Sequence, residues 1–262
     1  MLVTESYHFF AKVGFGRFFG ETTWSPLTEP RHYGIWPLAA GTAMIAIGAG
    51  LIAIPTGLLA AVFLSEYASE RVRNAVKPVL ELLAGIPTIV YGFFAVAYVT
   101  PILQRVIPSL PIYNALSGAI VVGIMIFPMV ASLTEDSLRA VPKVQRESGI
   151  ALGATKNEVI RKVVLTSARS GIISAFILAI SRAVGETMAV TLAAGNRPQL
   201  TWNPANEIQT MSAYIVMVAK GDVPHGSLEY YTVFAVGLAL FAITLVMNLL
   251  AARLVRRRSY GV

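Results

Sequence analysis

Cysteine is absent from this 262-residue chain, which excludes a disulfide framework, a thiolate nucleophile and a cysteine-ligated metal. Charge is scarce as well. Only 13% of the residues are Asp, Glu, Lys or Arg, about half the share of an ordinary soluble domain. By contrast 55% are hydrophobic and the mean hydropathy is +0.66. Such proportions exclude disorder and disfavour a water-soluble globule. No Gly-x-x-x-x-Gly-Lys-Ser/Thr loop is present to cradle nucleotide phosphates, and His8, His32 and His225 are too scattered for a His-Glu-x-x-His zinc site. Neither a nucleophile with a base beside it nor a cofactor motif is visible. Long linkers, low-complexity tracts and internal repeats are missing too, so the chain reads as one membrane domain.

What the sequence does have is apolar length. A hydrocarbon layer about 30 Å thick takes roughly 20 helical residues to cross. Five stretches qualify: Trp36 to Leu64, Val79 to Leu103, Ile112 to Leu133, Ser170 to Ala194 and Tyr231 to Ala252. Lipid offers no hydrogen-bond partner to an open strand, so the predicted fold is all-α, a polytopic bundle of five transmembrane helices in a lipid bilayer. The first stretch is longer than a perpendicular crossing needs and is expected to tilt or to kink at Pro55. Ile208 to Ala219 is too short to cross and reads as an interfacial or re-entrant helix.

The distribution of basic residues sets the orientation. Three segments on one side hold most of the 21 Lys and Arg: residues 65–78 with Arg71, Arg73 and Lys77, the loop 134–169 with seven, and the tail with Arg253 and Arg256 to Arg258. The other side holds Lys12, Arg17, Arg31, Arg105, Arg197 and Lys220. The richer side is assigned to the cytoplasm, which leaves the N-terminus outside and the C-terminus inside. Segments follow from this: an extracytoplasmic 1–35, a transmembrane domain 36–255 with an inner loop 134–169 and an outer loop 195–230, and a basic cytoplasmic tail 256–262. A net charge of +7 on so apolar a chain suits loops facing anionic lipid rather than nucleic acid. Residues 1–35 carry no secretory signal pattern, so an N-terminus outside requires either that this segment translocates with the first hairpin or, the favoured reading, that an upstream span precedes this sequence.

Two places carry chemistry. In the inner loop, Glu147 to Leu165 reads as a helix, a turn at Gly153 and a second helix, with apolar residues at three- and four-residue spacing. Thr155 and Glu158 form a capping-box pair that opens the second helix. In the fourth span, Arg182 and Glu186 lie four residues apart, which on one helix face lets them neutralise each other. An ionised Arg in the bilayer centre costs at least about 2.5–3.5 kcal/mol, so a lipid-facing, unpaired position is excluded. The pair serves either as an ion pair holding helices together or as the lining of an anion path, because the planar guanidinium suits phosphate and other oxyanions. The loop likewise suits either a docking lever or a helix lying on the lipid surface.

The loop resembles the signature of ABC-importer permeases, Glu-Ala-Ala, three residues, Gly, nine residues, Ile, one residue, Leu-Pro. Glu147, Gly153 and Leu165 match; Ser148, Gly149, Val163 and Thr166 depart from it. Further segments narrow the likeness: Gly34 to Leu38, Leu64 to Ala68, Leu80 to Phe94, Ser181 to Met188 and Gly221 to Gly226 resemble the phosphate-importer permeases of the PstC type. That resemblance implies the five-helix core of type I ABC importers (MetI-like), lacking the usual first N-terminal helix. It implies a permease subunit in the cytoplasmic (inner) membrane of a prokaryote, with no catalysis or cofactor of its own. The implied partners are an ATPase subunit in two copies, a second permease chain of the PstA type and an extracytoplasmic phosphate-binding protein. Glu147, Gly153, Ala154, Thr155 and Glu158 would form the ATPase coupling loop, and Ser181, Arg182, Glu186 and Thr187 would face the translocation path. A permease for sulfate or molybdate, an ion-coupled secondary transporter and a non-transporting scaffold remain the competing readings.

Overall fold

The computed structural model describes residues 1–259, with side chains as far as Arg253. The basic tail at Arg256 to Arg258 therefore lies outside the described side chains. Five helices are long and apolar enough to cross a membrane: Trp36–Tyr67, Thr88–Val106, Ala115–Arg139, Lys156–Val184 and Leu228–Arg253. Their number agrees with the five apolar stretches of the sequence. Two of the expected boundaries do not.

The second crossing was expected from Val79, but residues 79–84 belong to a separate amphipathic helix, Glu70–Ala84. Ser69 caps that helix by accepting the Val72 N–H at 3.4 Å. The break after it has a local cause. Pro87 has no N–H to donate and disfavours a helical Ile86, so the helix closes with Gly85 N–H on Leu82 O and a new one starts at Thr88. The fourth crossing was expected over Ser170 to Ala194. Its helix instead begins at Lys156, stops at Val184, and resumes as a short helix Met188–Ala194.

The chain forms two compact units, one of Met1–Ala49, Pro87–Val122 and Arg182–Val246, the other of Gly50–Ile86, Gly123–Ser181 and Met247–Val262. In the first, residues 1–35 fold into helices Leu2–Val13 and Phe15–Gly20, joined at Gly14, whose φ of 79° lies in the region glycine tolerates. Phe9, Val13, Phe18, Trp24 and Tyr33 pack with Met211, Tyr214, Val218 and Val236 into one apolar core. The Trp24 and Tyr214 rings meet edge to face at 5.0 Å. This core seats the short helix Met211–Lys220, which is too short to cross, as its sequence indicated. Thr42 Oγ1 accepts the Met211 N–H at 3.0 Å, and Tyr214 and Thr232 hydroxyls share a hydrogen bond of 2.6 Å.

In the second unit Ala61, Leu138, Val141, Val159, Val164 and Ala168 form one apolar cluster and Leu64, Leu80 and Ala131 another. Here the first and third crossings approach so closely that a Cβ on Gly57 would lie 2.6 Å from Val130 Cγ1. Small residues allow such contact, which in lipid replaces the hydrophobic driving force between helices. Gly57→Leu is expected to lower stability by about 1–3 kcal/mol through overpacking. A thermal melt of the purified protein in detergent checks this; a midpoint equal to wild type would contradict the close approach.

Candidate functional site

The break at Gly185, Glu186 and Thr187 rearranges what the sequence put on one helix face. The last turn tightens, with Glu186 N–H donating to Ala183 O at 3.2 Å. Glu186 is only 7% exposed, and its carboxylate accepts the Ala189 N–H at 3.2 Å, satisfying a free donor at the start of Met188–Ala194. Its carbonyl accepts the Ser212 hydroxyl at 2.6 Å. Glu186 is thus occupied in capping and in tying down the break. The expected ion pair with Arg182 is not formed: four-residue spacing brings side chains together only while the helix continues, and it ends between them.

Arg182 is exposed, and none of the ion pairs among the described residues includes it. Buried Tyr91, from the start of the second crossing, lies within its electrostatic reach. Thr187 donates to Gly185 O at 3.2 Å and accepts the Thr191 hydroxyl at 2.7 Å through its own carbonyl. Ser181 donates to Asn248 Oδ1 at 3.2 Å, a hydrogen bond between the fourth and the last crossing. Of the four residues expected to face a path, the structure leaves Arg182 uncommitted and ties Ser181, Glu186 and Thr187 into the backbone and neighbouring helices.

The inner loop keeps its expected geometry. Helix Lys143–Ala151 ends in a turn at Gly153, whose φ of 84° is left-handed, and the Ala154 N–H returns to Gly149 O at 3.1 Å. The capping box is complete. Thr155 N–H donates to Glu158 Oε2 at 3.0 Å and Glu158 N–H to Thr155 Oγ1 at 3.4 Å. The helix it opens is the beginning of the fourth crossing rather than a detached segment. Gly149, a departure from the alanine of the family signature, has a packing reason: a Cβ there would lie 3.0 Å from Val159 Cγ2. Glu147, Gly153, Thr155 and Glu158 are exposed and Ala154 is half-buried. With them, Val144, Ile150 and Leu152 present apolar surface, Leu152 at 89% exposure. A soluble loop seldom displays so much apolar side chain without something to cover it.

One group of charges was not singled out in the sequence. Glu135, 1% exposed, accepts from Lys77 Nζ at 2.7 Å; Lys77 also bonds Asp136, and Arg139 Nε lies 3.8 Å from Glu135. Lys77 reaches past its own helix to the third crossing, because a carboxylate buried there is costly unless a cation comes to it. Burial works against the Lys77 charge, but the bonds from Asp136 and Glu135 outweigh it and hold its pKa above the ordinary lysine value.

Known proteins resemble this chain over most of its length. A phosphate transport system permease protein, PstC 1 of Mycobacterium tuberculosis, is 34% identical and aligns with 96% of this chain and 82% of its own length. A probable phosphate transport system permease PstC of Methanocaldococcus jannaschii is 32% identical over 89% of this chain and 79% of its own. The fold resembles the MetNI methionine ABC transporter in an inward-facing form, with a TM-score of 0.60 at 19% identity, covering 86% of this chain and 94% of that one. Residues 53–260 match the family described as the binding-protein-dependent transport system inner membrane component. Match length and identity together place this chain in that family of ABC-importer permeases.

Proposed function

We propose that this chain carries inorganic phosphate across the cytoplasmic membrane of a prokaryote, as one permease subunit of an importer driven by a separate ATPase. The observation that carries the reading is Arg182, an exposed guanidinium at the end of a membrane helix that forms no ion pair with any carboxylate among the described residues. Such a group costs several kcal/mol in hydrocarbon unless it faces water or a polar partner. A path shared with a second permease gives it that environment, and planar donors without a permanent counter-ion attract an oxyanion without competition. The likeness, over most of this chain, to proteins named phosphate transport permeases favours phosphate among oxyanions.

The partners of this reading are a second permease of the PstA type, two ATPase subunits docked on Glu147 to Glu158, and an extracytoplasmic phosphate-binding protein. The inner loop lies in the cytoplasm, with the N-terminus outside and the C-terminus inside. ATP brings the ATPases together, their motion carries the loop around Gly153, and the helices reorient. The partners drive the change by binding inward and outward states with different affinity.

Two measurements in proteoliposomes holding the whole complex test the reading. Arg182→Gln should lower ATP-dependent uptake of radiolabelled phosphate by about ten- to a hundredfold, the worth of a charge-assisted hydrogen bond, while the subunits still co-purify. Unchanged uptake kinetics would make Arg182 a structural residue, and equal uptake of sulfate or molybdate would reassign the substrate. Gly153→Pro cannot hold a φ of 84°, because proline fixes φ near −65°. It should abolish substrate-stimulated ATP hydrolysis and leave membrane insertion intact; normal stimulation would remove Gly153 from the coupling path.

A further inference from the structure

The inner loop is fastened at two points to one short stretch of chain, the π-turn Phe63–Tyr67 at the end of the first crossing. Before the hinge, Arg146 on helix Lys143–Ala151 donates to Glu66 Oε1 at 3.0 Å and to Leu138 O at 2.8 Å, and also bonds Val141 O. Beyond the hinge, Tyr67 donates its hydroxyl to Asn157 Oδ1 at 2.6 Å, and Lys156 Nζ lies 4.5 Å from the centre of the Tyr67 ring. Glu66 and Tyr67 are consecutive, so one turn grips both halves of the loop.

We infer that Glu66 and Tyr67 are the receiver of the inner loop, the positioning residues through which its movement reaches the first crossing. The turn is stiffly mounted. Its Leu64 is buried with Leu80 and Ala131, and Ala68 N–H closes it on Phe63 O at 2.8 Å. Apolar contacts between the loop and the first crossing, such as Ala61 with Val141 and Val159, resist separation but not sliding, because they are non-directional. A guanidinium held by a carboxylate and two carbonyls, and a short hydroxyl bond on the other side, fix direction as well. The positive φ at Gly153 lets the loop bend at that point. With both halves clamped to one turn, a push on the loop moves the turn instead of being absorbed by that bend. The Glu66 side chain is 9% exposed and that of Arg146 20%, so salt screens the pair less than it would an exposed one.

This inference rests on the loop's proposed role as the ATPase contact, and the experiment separates the two. Complexes carrying Glu66→Gln, Tyr67→Phe or both are reconstituted with binding protein. Subunit retention, basal ATP hydrolysis and phosphate transported per ATP are then measured. Both substitutions lie outside the docking loop and preserve side-chain size. Retention and basal hydrolysis should stay at the wild-type level, while phosphate moved per ATP falls roughly three- to tenfold in the double variant. Glu66→Asp, which keeps the charge, should stay near wild type. A wild-type ratio of phosphate to ATP in the double variant overturns the inference. Should Glu66→Gln fail to assemble, Tyr67→Phe, which removes one hydroxyl, decides alone, and an unchanged ratio there overturns it equally. Absence of ATP-dependent uptake in the unmutated complex would instead strike the functional reading itself, and the inference with it.

Discussion

Hydrocarbon gives a peptide group nothing to bond, so each interruption of a membrane helix has to be repaired from within the protein. The architecture of this chain is a set of such repairs. At Gly185 to Thr187 the buried Glu186 carboxylate caps the following helix and Ser212 meets the Glu186 carbonyl. At Gly85 to Pro87 the missing proline donor needs no partner, which is why the interruption falls there. At Gly153 the turn lies in an exposed loop, where its open valences cost least.

Charge obeys the same rule. Glu135 is a buried carboxylate and Glu66 a half-buried one, and each is met by a cation from a distant segment, Lys77 in one case and Arg146 in the other. Breaking such a pair leaves a charge in a medium that cannot solvate it, a cost of several kcal/mol. Against that pattern Arg182 stands apart. Its would-be partner is spent on a helix end, and none of the ion pairs among the described residues includes its guanidinium. That leaves planar donors of the kind that suit an oxyanion, the basis of the path proposed above.

The inner loop joins these themes to function. Its apolar residues at Val144, Ile150 and Leu152 face outward, while its polar residues at Arg146 and Asn157 face the first crossing. One surface is free to meet a partner and the other is bound to the bundle. An element fastened by directional bonds on one side and open on the other suits the coupling role proposed above, since packed interfaces shift between discrete arrangements rather than deform smoothly.

Span number, the capping box at Thr155 and Glu158, the glycine turn at Gly153 and the short helix near residue 211 were legible in the amino-acid order. Each depends on composition over twenty residues or on chemistry within a single turn. The segment 1–35 escaped that reading because its two helices are far too short to cross a membrane and take their place from contacts to residues near 214 and 236. The partners of the charges escaped it for the same reason: Lys77 and Glu135 are 58 positions apart, Glu66 and Arg146 80, and Tyr67 and Asn157 90. The four-residue spacing of Arg182 and Glu186 pointed the wrong way, because spacing becomes proximity only where the backbone stays helical. Local order in the sequence therefore determined which elements exist. Tertiary structure decided which charge meets which and what holds the break at Gly185 to Thr187, because burial, and with it the cost of an unpaired group, is a property of the packed chain.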